Sequence, residues 1–296
     1  CGTASRPPSI RSRSGSRPGS VWCAGWSRGV ATDGRDRLAT TLAEAAPDAV
    51  INCAGATGSD AVTLAEVNSR GPAVLCAALR EAAPAARLVH LGSAAEYGPG
   101  VRGTAVTESA ATHPVTPYGA TKLAGTVTVS VSGLDAVVLR VGNPVGPGAP
   151  PAGLPGRIAG LLRAAGADPD AVIRLGDLSA YRDFVDVRDV ARAAVAAAKA
   201  PGPLPRILNI GAGRAVPVRD LVGGLARASG FRGRIEENGG GSERSGAVSW
   251  QCSDIAAAGE SLGWRPALTL DDSLAALWAA VSEDSPAGRP EGDRVR

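Results

Sequence analysis

R-L-V-H-L-G-S-A-A-E-Y-G at 87–98, followed by P-Y-G-A-T-K at 117–122, decides how this chain is read. Arg87 to Leu91 is a short apolar run ending at Gly92-Ser93, the pattern of a buried strand. Pro117 to about Val131 has helical periodicity, with the proline at its start. The same alternation extends outward on both sides. Arg35 to Ala46 reads as a helix, Ala49 to Ala54 as a buried strand, and Asp60 to Ala83 as a helix with Leu64, Val67, Val74, Leu75 and Leu79 on one face. Ala136 to Val141 is a third apolar strand. Continuous apolar strands separated by helices predict an α/β fold whose parallel sheet is covered on both faces. From about residue 150 the chain loosens into Pro/Gly-rich loops. A helix over Val187 to Lys199, a strand over Ile207 to Ile210 and a last helix near Leu270 to Val281 stand out, and Asp284 to Arg296 is a polar tail. There is no internal repeat.

In such a sheet, chemistry collects outside the carboxyl ends of the strands. Tyr118 and Lys122 are four apart on a helix, so their side chains project from one face. A free tyrosine titrates near pH ~10, and a lysine cation held close favours the phenolate, giving a usable acid/base at neutral pH. An incidental pair at this spacing is the plain alternative. Ser93, after a strand and a glycine, can present its hydroxyl at the carboxyl edge and donate to a carbonyl oxygen. By itself it reads more often as a helix cap or turn residue. Glu96 reads as a surface carboxylate.

Together these stretches resemble the catalytic triad of the extended short-chain dehydrogenase/reductase family, the NAD-dependent epimerase/dehydratase group, over about residues 30 to 282. The resemblance implies a Rossmann-type doubly wound parallel sheet (31–150) with a smaller, mainly substrate-binding C-terminal α/β part (151–283) from which some segments return to the first. It also implies that Ser93, Tyr118, Lys122 and Asn68, in E-V-N-S-R-G, are catalytic. N-C-A-G at 52–55 is similar to the turn that lies against the cofactor, so Ala54 and Gly55, with Tyr118, Lys122 and Val141, are expected to hold NAD or NADP. In L-R-V-G-N-P-V-G-P-G at 139–148, Asn143 corresponds to a substrate contact. Y-R-D-F-V-D-V-R-D-V-A at 181–191 places Arg182 on the diphosphate of a nucleotide-sugar, and Arg244 matches a second arginine near the nucleotide. Guanidinium forks suit phosphate oxygens, although a salt bridge of Arg182 with Asp183 or Asp186 is the plain alternative.

The family's dehydratases carry Asp-Glu directly after the catalytic Ser or Thr. Here Ala94 and Ala95 stand there, which argues against dehydration. The blocks look most like reductases of 4-keto-6-deoxy nucleotide sugars, with a 4-epimerase as the alternative. Members commonly form homodimers through the helices around 60–83 and 117–131.

Composition excludes other classes. Of 296 residues 44% are hydrophobic, enough for a core, yet no apolar run spans a membrane and no secretory signal is evident. Five cysteines without a C-x-x-C pair read as reduced, mostly buried thiols of a cytoplasmic protein, and two separated histidines argue against a metal centre. The net charge of +3 comes from five arginines and no acid in residues 1–30, and the stretch CGTASRPPSIRSRSGSRPGS at 1–20 has no lysines or aromatic platform for nucleic acid. The chain has no methionine and begins at Cys1, and the bias toward Ala, Gly, Pro and Arg reads as GC-rich coding. The family should open with an apolar strand running into G-x-x-G-x-x-G, and neither is found before Arg35. Residues 1–30 are therefore read as a disordered, truncated or out-of-frame leader. A nucleotide-sugar-binding relic unable to hold the dinucleotide is the reading from a different class.

Overall fold

The computed structural model describes residues 34–239 and 248–283, and the backbone of 21–24. In chain order these form β1 (Val21–Ala24), α1 (Arg35–Ala45), β2 (Ala49–Asn52), α2 (Ala61–Ala65), a π-helical turn (Glu66–Arg70), α3 (Gly71–Ala82), β3 (Arg87–Ser93), a 3-10 turn (Ala94–Glu96), α4 (Pro117–Ser130) and β4 (Ala136–Val141). There follow β5 (Asn143–Val145), α5 (Leu154–Ala165), β6 (Val172–Leu175), β7 (Tyr181–Arg182), β8 (Phe184–Asp186), α6 (Val187–Lys199), β9 (Ile207–Ile210), β10 (Val216–Pro217), α7 (Val218–Ser229), β11 (Arg234–Glu237), α8 (Ala256–Leu262) and α9 (Leu270–Glu283).

The main sheet is parallel throughout, in the order β1-β2-β3-β4-β9. Period-2 alternation sends successive residues to opposite faces. Val50, Leu88, Ala136 and Val138 pack under α1, α3 and α4 with Leu38, Leu42, Leu75, Leu79 and Val129. Ile51, Val89, Val137, Leu139 and Val141 pack under α6 with Val190, Ala193, Ala194 and Ala197. Both faces are covered, so the strands are apolar along their length. This is the Rossmann-like fold expected.

One expectation is overturned. A strand does precede Arg35: Val21–Ala24 pairs in parallel with Ala49–Asn52, Val21 opposite Ala49 and Ala24 opposite Asn52. V-W-C-A escapes the sequence reading because it follows an Arg/Ser/Pro-rich stretch and precedes no recognisable glycine-rich motif, so its pairing with β2 is what marks it as a strand. Within the reading of residues 1–30 as a leader, 21–24 are thus a sheet strand, while 1–20 and 25–30 lie outside the described residues, as does the tail from Asp284.

The helix expected from Asp60 to Ala83 is interrupted. Asp60 caps α2 by accepting the N–H groups of Val62 and Thr63 at 3.0 Å each. At 66–70 the ladder widens into a π-turn and the Gly71 N–H reaches back to the Glu66 carbonyl. Pro72 has no N–H to offer the Asn68 carbonyl, which accounts for the widening. That carbonyl faces Gly125 of α4, where any Cβ would collide with it.

A second core lies beyond the sheet. Ile158 and Leu162 of α5, Ile173 and Leu175 of β6, Leu221 and Leu225 of α7, and Leu274 and Leu277 of α9 close around one another. The parallel pair β5–β8 joins it to the sheet, because β5 continues from β4 after a single residue. No described helix is long and apolar enough to cross a membrane.

Candidate active site

Ser93 ends the central strand β3 and starts the 3-10 turn. Its hydroxyl accepts the Ala95 N–H at 3.2 Å, and its own N–H donates to Glu96 Oε1 at 2.7 Å, a reciprocal capping box. The cap reading of Ser93 therefore holds, and the residue stands at the carboxyl edge of the sheet. The side chain is nearly buried, at 8% exposure.

Glu96 is not on the surface. It is 0% exposed, and its Oε2 accepts from Arg140 Nε at 2.8 Å while Oε1 also accepts from Thr126 Oγ1 at 2.9 Å. Arg140 lies over the Tyr97 ring, 4.5 Å from its centroid, and the Tyr97 hydroxyl donates to Asn209 Oδ1 at 2.8 Å. A carboxylate can be buried this way because its charge is paired and both oxygens are hydrogen-bonded. Local hydrophobicity could not reveal a partner 44 residues away.

Thr116 caps α4 through the Gly119 N–H, so the helix starts with Pro117 and Tyr118 in its first turn. Gly119 lies against the turn after Ser93, where a Cβ would come within 2.6 Å of the Ala95 carbonyl oxygen. This close approach brings the Tyr118 end of α4 onto the Ser93 turn. One helical turn later, Lys122 is 4% exposed and donates to the Leu91 carbonyl of β3. Burial pulls its pKa down to about 8, while the acids Glu96 and Cys53 act to hold the charge. Asn68, 1% exposed in the π-turn, accepts the Ala56 N–H at 2.9 Å and donates to the Ala56 carbonyl and to Thr121 Oγ1. It thereby ties the loop after β2 to α4 beside Lys122. Gly55 lies in that loop, and a Cβ there would be 3.7 Å from Asn68 Oδ1 and 4.0 Å from Lys122 Nζ. Ala54, next to it, is fixed by an N–H bond to Asn52 Oδ1.

His90, on the same face of β3, is 1% exposed and sits 3.0 Å from Asn52 Nδ2 through its Nδ1. Because Asn52 Oδ1 accepts from Ala54, its amide presents NH₂ to the ring, and the neutral imidazole keeps its proton on Nε2. Burial first and the Lys122 charge second hold the His90 pKa well below the usual range. Cys76 and Cys252 are buried, whereas Cys53 is exposed beside this loop.

The residues expected on the substrate side spread along the same edge. Val141 ends β4, opposite Ser93, with its side chain largely in the core. Asn143 begins β5, and its Nδ2 donates to Gln251 Oε1 at 2.8 Å and to the Asp183 carbonyl at 3.3 Å. Arg182 is half-buried, and burial lowers its pKa. It donates to the Tyr181 carbonyl at 2.8 Å and has no carboxylate partner among the described residues. Neither neighbouring acid pairs with it. Asp183 accepts the Ala212 and Ser253 N–H groups, and Asp186 takes Arg188 and Ser273. Arg244 lies outside the described residues. The side chains missed from sequence are Glu96, Arg140, Thr126, Thr121 and Gln251. Only Glu96 had a readable signal, the S-x-x-E spacing of a capping box. Among the described residues no group of three or more His, Cys, Asp or Glu side chains gathers to hold a metal ion.

A cluster of Ser, Tyr and Lys at the carboxyl end of a parallel sheet can pass a proton to or from a sugar oxygen. Comparison with known proteins gives the family: residues 13–211 match the model of the NAD dependent epimerase/dehydratase family. The chain belongs to this family. It is 39% identical over 245 residues to dTDP-6-deoxy-L-talose 4-dehydrogenase (NAD(P)(+)) of Kitasatospora kifunensis, covering 79% of this chain and 76% of that protein. It is 30% identical over 250 residues to UDP-glucose 4-epimerase of Yersinia pestis, covering 76% and 71%. Among solved structures, MoeE5 in complex with UDP-glucuronic acid and NAD superposes with a TM-score of 0.73 at 26% identity, over 85% of each chain. The chain is thus an enzyme of the nucleotide-sugar epimerase, dehydratase and dehydrogenase type.

Proposed function

We propose that this protein is an NAD(P)-dependent nucleotide-sugar 4-ketoreductase, acting on a 4-keto-6-deoxy sugar. The observation that carries the acid/base assignment is Lys122: a buried ammonium, its pKa drawn to about 8, docked on the strand of Ser93 one helical turn from Tyr118. Tyr118 gives its phenolic proton to the C4 oxygen as the carbonyl becomes an alcohol, and Ser93 donates a hydrogen bond to that oxygen. Lys122 stabilises the phenolate left behind until a solvent proton restores it. Asn68 keeps the loop at Gly55 beside Lys122.

The donor set fits a nicotinamide dinucleotide at the end nearest the reaction. Lys122 has three N–H groups, and the Gly55 backbone lies close to it, since a Cβ there would be in ordinary contact with Asn68 Oδ1 at 3.7 Å and Lys122 Nζ at 4.0 Å. Ala54, Gly55, Tyr118, Lys122 and Val141 would hold the cofactor, which supplies a hydride when bound. Arg182, half-buried and without a carboxylate partner among the described residues, would meet the diphosphate of the substrate with Asn143 nearer the sugar; Arg244 joins this reading from sequence alone. Reduction is favoured over dehydration because Ala94 and Ala95 have no acid/base groups, and the named 4-dehydrogenase relative acts at the same carbon. The epimerase relative keeps 4-epimerisation as the second reading. A first strand is present, while the glycine-rich loop whose absence motivates the relic reading would follow it in residues outside the described ones. A homodimer through α2–α3 and α4 is favoured by exposed Val62, Val127 and Val131, and the buried thiols Cys76 and Cys252, in no disulfide among the described residues, accord with the cytoplasm.

The test is incubation of the protein with a 4-keto-6-deoxy nucleotide sugar and NADH or NADPH, following absorbance of the reduced nicotinamide. Stoichiometric cofactor oxidation is expected. Interconversion of C4 epimers without net oxidation would replace the reductase by the epimerase, and absence of both would remove the proposal.

A further inference from the structure

We propose that Glu96 is a positioning residue for the reaction, a buried carboxylate that clamps together the three elements bearing the active groups. This rests on the assignment of Ser93, Tyr118 and Lys122 made above. Each bond of the carboxylate goes to a different element. Oε1 takes the N–H of Ser93 itself, at the end of β3, and the hydroxyl of Thr126, one turn beyond Lys122 on α4. Oε2 takes the guanidinium of Arg140, which immediately precedes Val141 on β4. The site is built around this group: a Cβ on Gly92 would lie 2.8 Å from Glu96 Oε1, 2.8 Å from Val138 Cγ1 and 3.2 Å from Thr126 Oγ1. Arg140, at 3% exposure, is held in turn by the Tyr97 ring, and Tyr97 by Asn209 of β9.

A neutral side chain could keep the shape of this clamp but not its charge. Glu96 is an anion close enough to Lys122 to oppose the effect of burial on the ammonium. The other groups facing Lys122 are Cys53 after β2 and His90 of β3, with Tyr118 earlier on its own helix. Cys53 is exposed and His90 is neutral, which leaves Glu96 as the buried anion of the set.

Glu96→Gln alone strands Arg140 as a buried unpaired charge, and the fold is then at risk. The decisive variant is therefore E96Q/R140M, which removes both charges together. The chain has only two lysines, Lys122 and Lys199, so protein labelled with ¹⁵N-lysine gives two side-chain signals, assigned with K199R. In the folded double variant the Lys122 midpoint is expected below that of the unaltered protein. Turnover is expected to fall by about tenfold or more with KM nearly unchanged, since misplacement of reacting groups acts on the chemical step. A folded double variant whose Lys122 midpoint matches the unaltered protein overturns the proposal, as does one with full turnover. The lysine titration needs no substrate. If the unaltered protein turns over no 4-keto sugar, the functional reading fails while the test of Glu96 on Lys122 still stands.

Discussion

Replacing Lys122 by methionine makes the protein inactive and, at neutral pH, more stable. The ammonium is 4% exposed, and burial brings its pKa from 10.5 to about 8. In the unfolded chain it titrates at its ordinary value. Between these two values the unfolded state binds more protons than the folded one, so stability rises with pH across that window. Below about pH 8 the lysine is charged in both states and the folded state bears the whole penalty. At about 1.36 kcal/mol per pH unit, a drop of this size amounts to roughly 3 kcal/mol. Methionine keeps an unbranched apolar stem but gives up the bond to the Leu91 carbonyl, a loss of about 1 kcal/mol. The variant should therefore exceed the unaltered protein by roughly 2 kcal/mol at pH 7, with the difference shrinking through zero as pH approaches 10.5. The assay is urea unfolding followed by far-UV circular dichroism at several pH values from 7 to 10. Cys76 and Cys252 have thiol pKa values raised by burial, Cys252 to about 11, and their linkage has the opposite sign. They are present in both chains and cancel in the difference. Stability curves that run parallel across pH 8 to 10 would refute the buried ammonium.

Other expectations follow from the same geometry. Tyr118→Phe should retain the fold by circular dichroism and lose turnover by roughly 10²- to 10⁴-fold, the scale of a lost general acid; retained turnover would remove Tyr118 from the chemistry. Arg182→Ala should raise KM for the nucleotide-sugar by about 10- to 100-fold, corresponding to the loss of a charge-assisted phosphate contact of about 1.5–3 kcal/mol. It should leave KM for the dinucleotide unchanged, and equal effects on both in steady-state kinetics would place Arg182 elsewhere. Gly92→Ala should destabilise the protein by about 1–3 kcal/mol in thermal or urea unfolding, because the added methyl meets Glu96 and Val138. A neutral effect would mean that the Glu96 clamp yields freely.

Much of the scaffold was legible from periodicity. The strands ending at Ser93 and Val141, the helices from Pro117 and Val187 and the strand over Ile207–Ile210 lie where apolar runs and helical spacing put them. Boundaries moved where a cap or a missing donor intervened. Asp60 became a cap, and Pro72 opened the π-turn that presents Asn68. The strand at Val21 escaped notice because it borders an Arg/Ser/Pro-rich stretch and is defined by its pairing with Ala49–Asn52. Glu96 was misread for a related reason, since a charged residue between an alanine and a tyrosine gives no local sign of a guanidinium waiting on β4.

The amino-acid sequence by itself determined the parallel sheet, the order of the blocks along it and the Ser, Tyr and Lys at its carboxyl edge. These depend on spacing along one chain segment, which sequence displays directly. Only the tertiary structure decided which charges are paired and which are not. Glu96 found Arg140 and became buried, Lys122 lost water and part of its basicity, and Arg182 has no carboxylate partner among the described residues although two aspartates are close in sequence. Desolvation and pairing depend on what distant segments bring against a side chain, and that is settled when the helices close over the sheet.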